Sequence, residues 1–407
     1  MNVKCEAARQ ILVRDLTEAV RLAVRSAADE LADGEVLDLI DEKLLAHPER
    51  RALSQKELIG VAETVFCRTR RELSVLQPLA DDPEVTEIMV NGKDWVFVER
   101  RGELSRADAS FESTEELEDV IRRIAAKVHR EVNELSPILD ARLLDGSRVG
   151  AVYKNIAIGG PTLTIRRFPE AAITMDDLIA YGSITSEAAE FLAKLVKTGY
   201  NIFISGGTSS GKTTFLNALS NFIPPGERVV TIEDTAELQI AGIENLVRLE
   251  CRGAGIEGRG EVTIRQLIKA SLRMRPNRII VGEVRGEEAL DMVQAMNTGH
   301  SGSLSTGHGN SPRGMLYRLE AMFLQSADFP VDAIRRQLSE AIDIMVHLCR
   351  LPGGGRAVSE IAEVADYEDG EIALNTLYLR DMGQGGAGLV KRGELRNREK
   401  LLTGGLG

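Results

Sequence analysis

Residues 201–214 read Asn-Ile-Phe-Ile-Ser-Gly-Gly-Thr-Ser-Ser-Gly-Lys-Thr-Thr, an apolar run followed by a glycine-rich turn and the start of a helical pattern. The turn fits the spacing GxxxxGK[ST], in which glycines let backbone N–H groups turn inward onto phosphate oxygens. The N-terminus of the helix that follows adds positive potential. The pattern therefore predicts a phosphate-binding loop rather than an ordinary glycine turn. Its residues are Gly206, Gly207, Thr208, Ser209, Ser210, Gly211, Lys212, Thr213 and Thr214.

Two side chains of this loop carry the expected ligand chemistry. Lys212 is expected to reach the β and γ phosphates of ATP, and the hydroxyl of Thr213 is expected to bind Mg²⁺. ATP and Mg²⁺ are therefore the predicted ligands.

Two predicted strands end in carboxylates. Because active groups in open α/β sheets gather at the carboxyl ends of strands, Glu283 is the candidate that orients or deprotonates the attacking water, with a structural carboxylate as the alternative. Glu233 and Asp234 follow a second strand and offer a carboxylate pair for Mg²⁺ or water. The competing interpretation of Asp234 is a helix N-cap. The strand before Glu283 lacks the usual aspartate, which leaves open the group that supports Mg²⁺.

Residues 298–311 read Thr-Gly-His-Ser-Gly-Ser-Leu-Ser-Thr-Gly-His-Gly-Asn-Ser, too polar and glycine-rich for a core element although they flank a predicted strand. We expect this segment to lie beside the phosphates. His300 and His308 have no third ligand at a suitable spacing, which disfavours a zinc site. A γ-phosphate sensor is the favoured interpretation of this segment.

Composition and charge argue against several classes of protein. The chain has 407 residues and a formal charge of −12, which argues against a protein that coats duplex DNA by neutralising phosphates. Aromatic residues make up only 4% and form no stacking series beside basic residues, which disfavours single-strand binding. The longest uncharged stretch, 292–312, is too polar for hydrocarbon, so no transmembrane segment is predicted. The N-terminus does not resemble a secretory signal, and we expect a cytoplasmic protein.

The pattern of apolar residues predicts several regions. Helical periods predict a bundle in residues 1–75, and strands with one capped helix predict an α+β domain in 76–168. Residues 169–174 are the expected linker. From 175 to 380, helices alternate with short β-branched runs, as is typical of an α/β fold with a parallel sheet. Residues 381–407 are rich in glycine and charge, have no period, and are predicted to be a flexible tail.

Four ordered motifs resemble those of the type II/type IV secretion ATPase superfamily. They are 206–214, TIEDTAEL (231–238), LRMRPNRIIVGEVRG (272–286) and TGHSGSLSTGHGNSP (298–312). Within the superfamily they look most like the CpaF-type motors of tight-adherence (Flp) pilus assembly. The sequence departs from the family at Asn277, often aspartate, and at Gly307 and Gly309, where a bulkier residue and alanine are commoner.

The resemblance implies a fold and a set of roles. It implies a RecA-like P-loop ATPase domain, preceded by the small α+β domain and the helical bundle, in a homo-hexamer that binds ATP between domains. It also implies that Lys212 and Thr213 hold phosphate and Mg²⁺, and that His308 is the histidine-box residue. Glu233 and Glu283 are by the same resemblance the acidic-box and Walker B glutamates.

The expected function is a motor that powers pilus assembly or protein secretion at the inner face of the cell membrane, with a membrane platform protein as partner and no direct nucleic-acid contact. A conjugation-type secretion ATPase and a RecA-like nucleic-acid motor are the alternatives, and a small-molecule kinase would have no use for the histidine box. Arg166 and Arg167 are candidates to neutralise charge on the transferring phosphoryl group, with solvated strand arginines as the alternative interpretation.

Overall fold

The computed structural model describes residues 3–27, 31–100, 102–128, 130–143, 145–167, 172–253, 260–326, 328–351, 354–381 and 388–405. The chain divides into two compact units, Met1–Pro169 and Glu170–Gly407. Across the ranges above, no helix is both long enough and apolar enough to span a bilayer.

Three helices at the start of the first unit pack around their own core. They are α1 (Val3–Ser26), α2 (Asp33–Ala46) and α3 (Gln55–Arg70). A capping box begins α3, where the Ser54 N–H donates to Glu57 Oε2 at 2.7 Å. Residues at helical spacing, among them Leu12, Leu16 and Val20, are buried together, so the predicted helical bundle is confirmed.

The rest of the first unit is a six-stranded antiparallel sheet. Its elements are α4 (Gln77–Asp81), β1 (Val85–Asn91), β2 (Trp95–Arg100), β3 (Glu103–Arg106), α5 (Thr114–Lys127), β4 (Ile138–Arg142), β5 (Arg148–Val152) and β6 (Thr162–Arg166). The strand order is β3-β2-β1-β6-β5-β4. The buried face of α5 joins this sheet in one core. β1 and β2 form one hairpin and β4 and β5 another, and the first turns at Gly92 with φ of 67°.

The second unit is an α/β domain built on a nine-stranded sheet. It contains α6 (Met175–Ala180), α7 (Ser186–Lys197), β7 (Ile202–Gly206), α8 (Lys212–Ser220), β8 (Val229–Glu233), β9 (Leu246–Glu250), α9 (Ile264–Ser271), β10 (Arg278–Val284), α10 (Glu288–Asn297), β11 (Leu304–His308), α11 (Pro312–Ser326), α12 (Val331–Ala341), β12 (Ile344–Arg350), β13 (Arg356–Glu368), β14 (Glu371–Arg380), β15 (Leu389–Lys391) and α13 (Glu399–Thr403). The order is β15-β14-β13-β12-β7-β11-β10-β8-β9.

Parallel pairing brings the functional strand ends to one edge. The strands from β12 to β9 in that order pair in parallel, whereas β13, β14 and β15 pair antiparallel. Every residue of β7 is buried because apolar layers cover both faces of the sheet. The carboxyl ends of β7, β8, β10 and β11 therefore lie side by side. The predicted α/β fold is confirmed, but β9 was not predicted.

The prediction of a flexible tail over 381–407 is wrong for residues 388–405. In this segment β15 pairs with β14, and Leu389 and Leu395 are buried in the core of the second unit. The backbone N–H groups of Arg396 and Asn397 donate to the carboxylate of Glu363. Single apolar anchors and backbone hydrogen bonds leave no periodic pattern, which is why composition alone suggested mobility.

The remaining boundaries stay predictions. Residues 169–171 of the expected linker lie outside the described residues, as do residues 382–387 of the tail. Thr174, at the linker's end, caps α6 by accepting the Asp177 N–H at 3.2 Å. The division of the first unit near residue 75 also stays a prediction.

An ion pair fastens the tail to the sheet and gives a stability prediction. Lys400 Nζ lies 2.6 Å from Asp343 Oδ2, whose side chain is 13% exposed. Burial raises the pKa of Asp343, and the Lys400 cation opposes that effect. We expect Lys400→Met to lower the free energy of unfolding by about 2 kcal/mol, because it leaves a buried carboxylate without its cation.

The matched control for that variant is Lys391→Met. Lys391 pairs with an exposed partner, Glu394, at 2.6 Å, so its loss should change stability by less than about 0.5 kcal/mol. Urea unfolding of both variants measures the difference. Equal losses would show that the Lys400 contact does not hold the tail.

Candidate active site

The predicted phosphate-binding loop joins β7 to α8. Gly211 precedes α8 with φ of 89°, and Ser209 has φ of 57°, so two residues of the loop are left-handed. A Cβ atom on Gly206 would lie 2.4 Å from Ser210 Oγ, which explains the glycine at the strand end. Ser210 Oγ is buried and has no hydrogen-bond partner among the described residues. The loop therefore turns tightly around a polar interior.

Lys212 points back across this loop. Its side chain is largely buried, its Nζ donates to the Gly207 carbonyl at 3.1 Å, and His308 Nδ1 lies 3.3 Å away. Burial lowers the pKa of Lys212, although the nearby Glu283 carboxylate opposes the shift. Thr213 and Thr214 occupy the first turn of α8 and are half-buried, whereas 207–209 are exposed. The cation and the Thr213 hydroxyl thus share the N-terminus of one helix.

Glu283 and His308 meet because β10 and β11 are neighbouring strands. Glu283 Oε1 lies 2.8 Å from His308 Nε2, and Oε2 accepts a hydrogen bond from Arg285 Nη2 at 2.7 Å. The Oε1 atom is buried and makes no hydrogen bond of good geometry within the described part of the chain. Burial lowers the pKa of His308, so its imidazole is neutral near pH 7. Glu283, His308 and Lys212 therefore form one chain of contacts beside the loop.

His300 lies apart from this cluster, since its Nδ1 is 3.2 Å from the Ala295 carbonyl at the end of α10. Over the ranges that the structure describes, no group of three or more His, Cys, Asp or Glu side chains is placed to hold a metal ion.

Glu233 is more deeply buried than a typical ligand of a solvated cation. Its side chain is 2% exposed, and Oε2 accepts hydrogen bonds from the backbone N–H groups of Glu237 and Leu238 at 2.7 and 2.9 Å. Its Oε1 has no hydrogen-bond partner among the described residues. A Cβ on Gly282 would lie 3.1 Å from Glu233 Cγ, so glycine lets β10 approach this carboxylate. Glu233 thus fixes the segment that follows β8.

Asp234 is not a helix N-cap, and that interpretation is wrong. The residues directly after β8 form a bend and an extended stretch rather than a helix. Asp234 Oδ2 instead lies 3.2 Å from Arg285 Nη1, an ion pair that the sequence pattern did not suggest.

Burial of Glu233 makes stability depend on pH. Burial raises the pKa of Glu233 from 4.5 to about 7, despite two backbone hydrogen bonds that lower it. Between these pH values the folded chain binds more protons than the unfolded chain, so the free energy of unfolding falls as pH rises. We expect the parental protein to lose up to about 3 kcal/mol from about pH 5 to about pH 8 through this group, and Glu233→Gln not to lose it.

Urea unfolding of the two proteins at both pH values tests this expectation. Other titrating groups are common to both, so they cancel when the two pH dependences are subtracted. Identical pH dependences would mean that Glu233 is ionised in the folded chain at both pH values.

The two candidate arginines lie in the first unit. Arg167 Nη1 donates to the carbonyls of Asp82 and Val85, which ties the start of β1 and the turn before it to the end of β6. Arg166 is exposed on β6, opposite Glu87 and Arg148 in the two neighbouring strands. The bonds of Arg167 within its own unit favour a structural role, and a role at the nucleotide for either arginine stays a prediction.

Two other features were missed or left unexplained by the sequence. Arg278 is buried, and its Nη2 donates to Glu227 Oε1 at 2.9 Å. Gly307 and Gly309 flank His308 because a Cβ at either position would lie 2.7–3.0 Å from Met315 atoms of α11. Met315 therefore fills the space that a larger residue beside His308 would need.

Comparison with known proteins shows the family of this chain. The family model described as type II/IV secretion system protein matches residues 69–365, and the chain belongs to that family. It is 36% identical over 294 residues to the conjugal transfer protein TrbB of Rhizobium radiobacter, covering 71% of this chain and 86% of that relative. It is 34% identical over 308 residues to the type IV secretion system protein PtlH of Bordetella pertussis, covering 70% and 91%.

A solved structure gives the fold independently. The ATPase DotB of Legionella pneumophila superposes with a TM-score of 0.52 at 20% identity, over 72% of this chain and 80% of that one. This likeness confirms the RecA-like fold. The superfamily resemblance of the motifs is likewise confirmed, whereas the narrower likeness to CpaF-type motors stays a prediction.

Proposed function

We propose that this chain is an ATP-hydrolysing motor subunit of a conjugation-type secretion system. The observation that carries the proposal is the convergence of Lys212, His308 and Glu283 beside the phosphate-binding loop. A buried cation and a carboxylate at one sheet edge, with a neutral imidazole between them, are groups suited to phosphoryl transfer to water.

The residues of the site fit a nucleotide and its metal ion. The left-handed turns of the loop and the buried Ser210 hydroxyl provide a concave polar surface for phosphate oxygens. Lys212 would hold the β and γ phosphates, and the Thr213 hydroxyl would hold Mg²⁺. When bound, Mg²⁺ would offset the charge of the phosphate oxygens.

Glu283 and His308 would have different roles in the hydrolysis step. The buried Oε1 of Glu283 has a free acceptor site for a proton of the attacking water. His308 is neutral, so it would add no charge beside the γ phosphate. Its Nδ1 faces the Lys212 ammonium, which can only donate, so the one imidazole N–H is on Nε2 and is directed at Glu283 Oε1. Glu233 would support the site indirectly, because its Oε2 accepts the N–H groups that hold the segment after β8.

The names of the relatives favour conjugation over pilus assembly. The two relatives described above are named for conjugal transfer and for type IV secretion. Tight-adherence pilus assembly, which the motifs favoured, is therefore the second candidate. By the same likeness we propose a homo-hexamer that works with a membrane platform protein at the cytoplasmic face of the membrane.

A gene-replacement experiment separates the two functions. In the native host, the gene is deleted and replaced with the parental form or with Glu283→Gln, and both DNA transfer frequency and pili per cell are measured. Loss of transfer with a normal number of tight-adherence pili supports the proposal. Loss of those pili with normal transfer would contradict it and support the second candidate.

The assembly is tested on the purified protein. Light scattering with and without a nonhydrolysable ATP analogue should show a hexamer that the analogue stabilises. A monomer at every concentration with unchanged specific activity would contradict the ring. Turnover that requires added DNA would instead support a nucleic-acid motor.

A further inference from the structure

Arg285 connects carboxylates from two neighbouring strands. Its Nη2 donates to Glu283 Oε2 at 2.7 Å, and its Nη1 lies 3.2 Å from Asp234 Oδ2. Glu283 belongs to β10, and Asp234 directly follows β8, which pairs with β10 in parallel. The guanidinium therefore spans the carboxyl ends of both strands.

The backbone that carries this guanidinium is also fixed. The Arg285 N–H donates to Glu288 Oε1 at 2.6 Å, and the Gly286 N–H donates to the same oxygen at 3.0 Å. Glu288 is the first residue of α10. A planar guanidinium on a fixed turn, held by a second carboxylate, defines a direction for its hydrogen bond that a flexible ammonium does not.

The consequence for Glu283 is that its two oxygens have different surroundings. Arg285 engages Oε2, so Oε1 is directed to His308 Nε2 at 2.8 Å, and His308 in turn contacts Lys212. The oxygen that faces the phosphate-binding loop is thus the one without a well-aligned hydrogen bond in the described chain. Without Arg285, rotation of the carboxylate would exchange or displace the two oxygens.

We propose that Arg285, anchored by Asp234, is a positioning residue that orients the Glu283 carboxylate for ATP hydrolysis. The inference rests on the proposed function and adds to it a role for two residues that act through Glu283. Asp234 is on this view an anchor for Arg285 and not a ligand of Mg²⁺.

A purely structural ion pair would behave differently. The Arg285 side chain is 57% exposed, and its partners Asp234 and Glu283 are 44% and 18% exposed. Water can solvate so exposed a guanidinium, and the glutamine of Arg285→Gln can still donate to Glu283, so these pairs contribute little to stability. We therefore expect Arg285→Gln to leave the melting temperature nearly unchanged, whereas misplacing a catalytic carboxylate lowers kcat.

The experiment compares four variants of the full chain with the parental protein. They are Arg285→Gln, Arg285→Lys, Asp234→Asn and the double variant Arg285→Gln with Asp234→Asn. Steady-state phosphate release gives kcat, and titration with a fluorescent ATP analogue gives Kd. The matched control is Arg265→Gln, because Arg265 also joins two carboxylates, Glu287 and Asp291, on the same unit.

We expect Arg285→Gln to lower kcat by about tenfold or more with Kd within about threefold, and Arg285→Lys to recover part of the loss. Asp234→Asn should lower kcat less, and the double variant should turn over no more slowly than Arg285→Gln, because Asp234 acts only through Arg285. Arg265→Gln should keep the parental kcat.

Three results would overturn the proposal. Parental kcat in Arg285→Gln would show that Glu283 needs no positioning by this residue. If the factors by which the two single variants lower kcat were multiplied in the double variant, Asp234 would have a separate role, such as metal binding. If Arg285→Gln lowers the melting temperature, the other variants decide the question. Parental kcat in Asp234→Asn, together with full recovery of kcat in Arg285→Lys, would then show that Arg285 has a structural role. A parental protein without turnover would contradict the proposed function itself, which the other results leave standing.

Discussion

Replacing Lys212 with alanine is expected to abolish ATP turnover and to weaken ATP binding by about a hundredfold. The Lys212 side chain is only 8% exposed, so its ammonium acts on the phosphates with little screening by water. The measurement is phosphate release together with nucleotide titration.

The control for Lys212→Ala is Lys197→Ala, which removes an exposed lysine from α7 in the same unit. Stability should be unchanged or slightly higher in Lys212→Ala, because burial already lowers the pKa of this lysine and disfavours its charge. A melting temperature equal to the parental value would show that loss of activity is not caused by unfolding. Parental turnover in Lys212→Ala would exclude this loop as the hydrolytic site.

Glu283→Gln is expected to lower kcat by about a hundredfold or more while ATP binding stays within about threefold. Glutamine has the same shape and its amide oxygen can still accept from Arg285 Nη2, but it cannot take a proton from water. Glu287→Gln, at an exposed carboxylate just before α10, is the matched control. Parental turnover in Glu283→Gln would reassign the group that activates water.

The loop and the parallel sheet could be predicted from sequence because local patterns determine both. Glycine spacing fixes the turn after β7, and runs of β-branched residues mark strands that are buried on two faces. The strand β9 was missed because it has only five residues, Leu246–Glu250, each of them half-buried or exposed. An exposed edge strand has too little burial to leave a clear pattern.

Contacts between distant residues could not be predicted. Sequence spacing suggested that Glu283 and His308 share a sheet edge, but the Arg285 to Asp234 pair depends on β8 and β10 being neighbours. The same limit applies to the tail, where Lys400 meets Asp343 across a long stretch of chain. Side-chain ion pairs of this kind have no periodic signal in the sequence.

The most direct test of the central claim is multiple-turnover phosphate release from ATP by the purified parental chain, with Mg²⁺ present or removed by a chelator. The proposed function predicts sustained release in Mg²⁺ that stops when the metal ion is removed, since Lys212, Thr213 and Glu283 would act on a metal-bound triphosphate. Tight binding of ATP in Mg²⁺ without any release of phosphate above the protein-free background would contradict it.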